Sequence, residues 1–109
     1  MNTSLLKSLK SKTFANLIGL IELNLDGNMI TSIHHDAFCN SNLIQTLRLS
    51  QNRLMSIDPR LFHNLTNLKI IHLNNNNLQN FHRDTFAHQS SLKELFLDKN
   101  ELKIIDTGN

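Results

Sequence analysis

The sequence predicts an α/β repeat fold: a solenoid arc with a short parallel β-sheet on its concave face and irregular or short helical returns on its convex face. Three observations predict it: a fixed period, a two-residue alternation inside each period, and an asparagine at one recurring place. From Ile44 to Asn67 the apolar residues Ile44, Leu47, Leu49, Leu54, Ile57, Phe62 and Leu65 surround Asn52. Moving back 24 residues gives Leu20, Leu23, Leu25, Asn28, Ile30, Ile33 and Phe38, and moving forward gives Leu68, Ile71, Leu73, Asn76, Leu78, Phe81 and Phe86. A further step gives Leu92, Leu95, Leu97, Asn100, Leu102 and Ile105. A constant period of this size is the mark of stacked units, each contacting only its neighbours.

The units divide the chain unevenly. Residues 1–19 are a partial repeat in which Leu6, Leu9, Phe14 and Leu17 hold the back-half positions, with Ser4 where the asparagine should stand and no strand before it. Residues 20–43, 44–67 and 68–91 are full repeats, and 92–109 is a partial one. This organisation reads as a fragment of a longer protein. Terminal units of an array need a polar cap, so the isolated chain is expected to be monomeric only poorly and to unfold with little cooperativity.

Within each repeat the L-x-L core alternates as a short strand requires, with Leu23 and Leu25 inward and Asn24 outward. Equivalent strands then form one parallel sheet, and four of them at roughly 4.8 Å each make a ladder about 14 Å wide. The asparagine comes after the strand, at a tight turn whose backbone groups lack ladder partners. Its amide both donates and accepts, so Asn28, Asn52, Asn76 and Asn100 read as a structural ladder serving their own turn and the adjacent repeat. Phe14, Phe38, Phe62 and Phe86 read as stacked rings filling the convex side. Ser41 and Gln89 stand where Leu17 and Leu65 supply a core residue, which predicts looser packing there, with Leu43 substituting in the first case. Pro59 falls in a return, where a missing N–H is tolerated.

Written out, the unit is L-x-x-L-x-L-x-x-N-x-L-x-x-L with a phenylalanine ten residues after the asparagine. This pattern resembles the leucine-rich repeat, in the 24-residue subclass of animal extracellular proteins such as Toll-like receptors, Slit-like guidance proteins and matrix proteoglycans. The resemblance covers nearly the whole chain. It implies a non-catalytic protein-recognition module of a secreted or cell-surface protein, with an ectodomain fragment of a Toll-like innate immune receptor as the alternative. The two would look the same over these residues and would differ in the sequence downstream of Asn109. An intracellular adaptor is disfavoured only through the subclass resemblance.

Composition narrows the partners. The net charge is +2, with 11 basic and 9 acidic residues interspersed, so no electrostatic footprint for nucleic acid appears. No run approaches the roughly 20 apolar residues of a membrane span, and the first residues lack the apolar core of a signal peptide. Cys39 is the single cysteine, read as a small half-buried residue beside Phe38, and it excludes an intrachain disulfide. The six histidines do not gather three ligands at one offset, so no metal site is expected, and a pH-responsive surface is favoured over one. No catalytic motif and no phosphate-cradling glycine loop occurs, so neither an enzyme nor a cofactor is expected. Two N-x-S/T sequons occur; the one at Asn64 lies on a return, where a glycan would leave the sheet clear, and the other begins at Asn2.

The outward strand residues are the candidate contact surface, because a rigid scaffold presents them with little entropy to lose. They form the columns Glu22, Thr46, Ile70, Glu94 and Asn24, Arg48, His72, Phe96, then Asp26, Ser50, Asn74, Asp98, with Gln45, Lys69 and Lys93 alongside. The mixed sign favours a protein ligand over a polyanion. Aromatic and arginine side chains most often dominate binding energy, which singles out Arg48, His72 and Phe96, supported by Ile70. The oligomeric state is left open.

Overall fold

The computed structural model describes residues 7–82 and 84–102. Four three-residue strands, β2 (Glu22–Asn24), β4 (Thr46–Arg48), β5 (Ile70–His72) and β6 (Glu94–Phe96), pair in parallel in the order β2-β4-β5-β6. Their register aligns Glu22, Thr46, Ile70 and Glu94, then Leu23, Leu47, Ile71 and Leu95, then Asn24, Arg48, His72 and Phe96. The strands are short because only L-x-L alternates. Backbone pairing nevertheless runs on into the turn, with Leu25 N–H donating to Arg48 C=O at 2.8 Å and Gly27 N–H to Ser50 C=O at 3.1 Å. A second, two-stranded parallel sheet pairs β1 (Ser8–Leu9) with β3 (Ser32–Ile33) on the return side, which the repeat pattern did not announce. The returns are successive turns, and no helix occurs among the described residues.

Burial follows the repeat columns. Leu47, Leu49, Leu54, Leu65, Leu68, Ile71, Leu73 and Leu78 are fully enclosed, whereas Leu23 and Leu95 in the flanking strands, and Leu97 just after β6, are half-buried. The rings pair as Phe14 on Phe38 (6.2 Å between centroids) and Phe62 on Phe86 (5.5 Å). A further core column, Ala37, Leu61 and Thr85, precedes the phenylalanines. Leu6 and Ile105, two positions of the repeat pattern, lie outside the described residues, as does the sequon at Asn2.

The expectation for Ser41 and Gln89 is corrected. Both are buried, and Leu43 does not substitute, being 43 % exposed. Instead the Ser41 hydroxyl donates to Phe14 C=O at 2.9 Å and accepts Leu17 N–H at 3.0 Å, and the Gln89 amide donates to Phe62 C=O. A polar side chain replaces leucine in the wall of the core by satisfying the backbone of the preceding phenylalanine, so the packing there is closed rather than loose.

The asparagine ladder has a consistent wiring. Asn52 Oδ1 accepts Ile30 N–H at 3.1 Å, and its amide donates to Leu25 C=O and Leu49 C=O, both at 3.0 Å. Asn76 Oδ1 accepts Leu54 N–H, and Asn100 Oδ1 accepts Leu78 N–H, both at 3.0 Å. The Leu49 and Leu73 carbonyls each receive the amide of their own repeat's asparagine and that of the next. Asn28 donates to Leu25 C=O at 3.0 Å.

Immediately before each of these asparagines the backbone is left-handed: φ is +71° at Gly27, 57° at Gln51, 60° at Asn75 and 61° at Lys99. Only Gly27 meets this demand without steric conflict, since a Cβ crowds the following carbonyl by about 1–2 kcal/mol. A Cβ at Gly27 would meet nothing within 4 Å, so the backbone alone decides the effect of a substitution there. Gly27→Ala is expected to destabilise by about 1 kcal/mol and Gln51→Gly to stabilise by about 0.5, the glycine's unfolded-state entropy offsetting part of the relief. Denaturant midpoints at unchanged m check both signs.

The returns begin with side-chain caps of backbone N–H groups. His34 Nδ1 accepts Asp36 N–H at 3.2 Å, His82 Nδ1 accepts Asp84 N–H at 3.0 Å, and Asp58 Oδ1 accepts Arg60 N–H at 2.9 Å. The Arg60 guanidinium forks onto Asp58, Nε to Oδ1 at 3.1 Å and Nη2 to Oδ2 at 2.9 Å, and this pairing lowers the Asp58 pKa from 3.8 to about 2. A depressed folded pKa gives stability that is present above the unfolded value and lost as pH falls through the folded one. Stability is therefore expected to decline between pH 3.8 and about 2. The pair is exposed and screened, so the loss from this group is no more than about 1 kcal/mol, and Asp58→Asn should flatten that part of the profile.

Candidate recognition surface

Alternation in the three-residue strands turns one side chain per strand inward and its neighbours outward. In the outward column Asn24, Arg48, His72 and Phe96, the parallel register sets each residue beside the next, and the last three contact in sequence. Arg48 Nη1 lies 3.3 Å from His72 Nε2, and the His72 ring stacks on Phe96 with centroids 4.7 Å apart and planes 8° from parallel. All three are half-buried, which holds them in place while leaving a face to solvent.

Asp26 anchors the row from the turn after β2. Its Oδ2 accepts Arg48 Nε–H at 2.7 Å and its Oδ1 accepts Ser50 N–H at 2.8 Å. The Asn24 side chain points to its own turn, accepting Asp26 N–H at 3.0 Å, so Asn24 supports this anchor as well as standing exposed. Asp26, Arg48, His72 and Phe96 thus form a continuous chain of contacts across all four strands. Sequence reasoning marked Asp26 only as one charge of a mixed surface. The signal that could have found it was the two-residue step from Asn24, a side chain that readily bonds the backbone two residues on.

The remaining candidates are distributed around this row. Thr46 and Ile70 are half-buried in the adjacent column, with the exposed Glu22 and Glu94 at its two ends. Lys69 and Lys93 lie one residue before β5 and β6 and are joined through Lys93 N–H to Lys69 C=O at 2.8 Å. Asn64 is exposed on the return, away from the sheet. Two histidine pairs form that the 24-residue columns do not foretell in full: His34 stacks on His35 at 4.5 Å, and His63 meets His88 edge to face at 4.4 Å, one residue out of column. No set of three or more His, Cys, Asp or Glu able to hold a metal occurs among the described residues. No helix there is long and apolar enough to cross a membrane.

The family model of leucine-rich repeats matches residues 1–54 and 42–102. The chain belongs to the leucine-rich repeat family. Among solved structures, this leucine-rich repeat chain is similar to the Drosophila Toll in its complex with Spatzle, with a TM-score of 0.86 and 32 % identity over 94 % of its length. It is similar to TLR13 in a complex with ssRNA13, with a TM-score of 0.79 and 26 % identity over 87 % of the chain. It is also similar to the leucine-rich repeat domain of APL1B, with a TM-score of 0.70 and 33 % identity over 78 % of the chain. The chain spans 13 %, 14 % and 24 % of those three, so it corresponds to a small part of each. No curated protein matches it at the same stringency. These likenesses place the repeats in the animal extracellular type.

Proposed function

We propose that this chain is a non-catalytic protein-recognition segment of a longer secreted or cell-surface protein, and that it meets its ligand with the outward face of the four-stranded sheet. The observation that carries the reading is the chain of contacts from Asp26 through Arg48 and His72 to Phe96, which fixes an arginine and two stacked rings on a rigid ladder. Residues immobilised before binding lose little entropy on association, and arginine and aromatic side chains are the types that most often dominate an interface. A glycan at Asn64 on the return would leave this face open. The likeness to Toll over 94 % of the chain favours, as the specific form of this reading, an ectodomain segment of a Toll-like receptor; the Toll structure is a complex with a protein, Spatzle.

The test is made in the intact protein with its ligand. Arg48→Ala, His72→Ala and Phe96→Ala together are expected to weaken binding by at least about tenfold, or 1.4 kcal/mol, because single residues of this kind often contribute 2 kcal/mol or more. Asn64→Gln should leave affinity unchanged. A loss below about 1 kcal/mol in a folded triple variant would place the interface elsewhere.

A further inference from the structure

We propose that the row centred on Arg48 and His72 binds a carboxylate: the partner is an acidic protein segment that presents an Asp or Glu side chain there and an apolar side chain to Phe96. This rests on the sheet face being the contact surface and goes further by naming what it recognises. Hydrogen-bond accounting carries the argument. A guanidinium has five N–H donors and no acceptor. Arg48 uses Nε on Asp26 Oδ2 at 2.7 Å and Nη1 toward His72 Nε2 at 3.3 Å. Because arginine can only donate, a hydrogen bond at this contact requires His72 Nε2 to accept, with the ring proton on Nδ1.

Four N–H groups are left over. The second Nη1–H and both Nη2–H groups of Arg48, and the Nδ1–H of His72, have no acceptor among the described residues. Both Asp26 oxygens are occupied, one by Arg48 and one by Ser50 N–H, so Asp26 orients the arginine without having an oxygen to spare. Lys69 and Lys93, next to one another at the start of β5 and β6, make no ion pair among the described residues. A ligand that completes this arrangement brings oxygen acceptors and negative charge, and a planar carboxylate matches the fork of a guanidinium edge.

The flanking charges select which anion. Glu22 and Glu94 are exposed on the same face, at the two ends of the column whose middle is Thr46 and Ile70. A polyphosphate chain laid across the strands would run into one of these carboxylates, whereas a single acidic side chain entering at the centre would not. Repulsion at the ends discriminates as effectively as attraction at the centre. An acidic protein segment is therefore favoured over a nucleic acid, although rings and lysines also occur on stacking platforms for single strands.

The experiment uses the 15N-labelled intact protein and two end-blocked tetrapeptides, Gly-Glu-Phe-Gly and Gly-Gln-Phe-Gly, read at the Arg48 Nε–H and the His72 ring nitrogens. The free protein is expected to show the Nδ1–H tautomer of His72. The Glu peptide should shift both signals saturably, and the Gln peptide should bind at least about fivefold more weakly, because only an ionised acceptor gains the charge-assisted bonds. His72→Gln, which can accept from Arg48 and still donate outward, should retain the preference, while His72→Phe, which keeps the stack alone, should lose it. An Nε2–H tautomer, equal or absent responses to the two peptides, or tighter binding of a uridine oligonucleotide at this row overturns the inference. If the carboxylate preference fails while the triple alanine variant still loses its natural ligand, only this inference falls; if the triple variant binds normally, both fall.

Discussion

Asn52→Ala is expected to destabilise the chain by about 2–3 kcal/mol, against about 0.5 or less for Asn77→Ala one repeat further on. The asymmetry comes from what each removal leaves behind. Of the groups bonded to Asn52, the Leu25 carbonyl keeps the Asn28 amide, the Leu49 carbonyl keeps the Asn76 amide, and the Ser50 carbonyl keeps Gly27 N–H. The Ile30 N–H has Asn52 Oδ1 as its partner and sits in a fully buried residue, so it is the group left unsatisfied. An orphaned buried donor incurs its full desolvation penalty, whereas a carbonyl that keeps one of two partners costs far less. Asn77 is exposed, and it is its backbone N–H that bonds Leu54 C=O, at 2.8 Å, which alanine preserves.

Asn52→Asp separates donor from acceptor. It keeps an oxygen for Ile30 N–H but loses the amide that faces three carbonyls at 3.0–3.1 Å. Burial and those carbonyl dipoles should raise the aspartate's folded pKa above its unfolded value. Stability is then greatest below the unfolded value, where a protonated carboxyl can donate, and falls as pH rises through the folded one. Urea midpoints measured in the intact, capped protein, of the Ala variants at pH 7 and of the Asp variant at several pH values, check all three; equal losses for Asn52→Ala and Asn77→Ala would refute the wiring.

What the sequence made legible was everything carried by a 24-residue column. The sheet order, the register of Leu23, Leu47, Ile71 and Leu95, and the neighbouring positions of Arg48, His72 and Phe96 all derive from one offset, because stacked units convert sequence period into spatial adjacency. What was not legible depends on features the column does not encode. Ser41 and Gln89 reach backbone carbonyls 27 residues back, so an apolar-pattern reading sees two gaps where two side chains bond the backbone of an earlier repeat. Leu61 was missed because its column also holds Ala37 and Thr85, which show no common residue type. The left-handed turn was hinted at by Gly27 alone, with Gln51 and Lys99 in the same column concealing it. Asp26 was visible as a charge, but that both its oxygens are committed emerges only from the turn geometry.

Phe62→Ala carries the largest expected effect, a loss of about 3–5 kcal/mol, because it deletes a ring from the middle of the return-side core and the stacked units have little freedom to collapse around it. Phe62 is fully enclosed and packs against Phe86, which in turn meets Phe81 edge to face at 5.4 Å. Its carbonyl also holds the Gln89 amide, so a shift of the Phe62 backbone would loosen a bond to the following repeat. Phe14, half-buried and stacked on Phe38 at the larger separation of 6.2 Å, removes less area from water, and Phe14→Ala should cost roughly half as much. Among the described residues the two rings share no aromatic partner, so the double variant should equal the sum of the singles within about 0.5 kcal/mol. Native-state hydrogen exchange adds a spatial readout: Phe62→Ala should deprotect the amides of both adjoining repeats, including Leu49 and Leu73, while Phe14→Ala should act mainly on the β1–β3 pairing. Uniform deprotection by both variants would mean that the stack opens as one cooperative unit, contrary to a sum of neighbour interfaces.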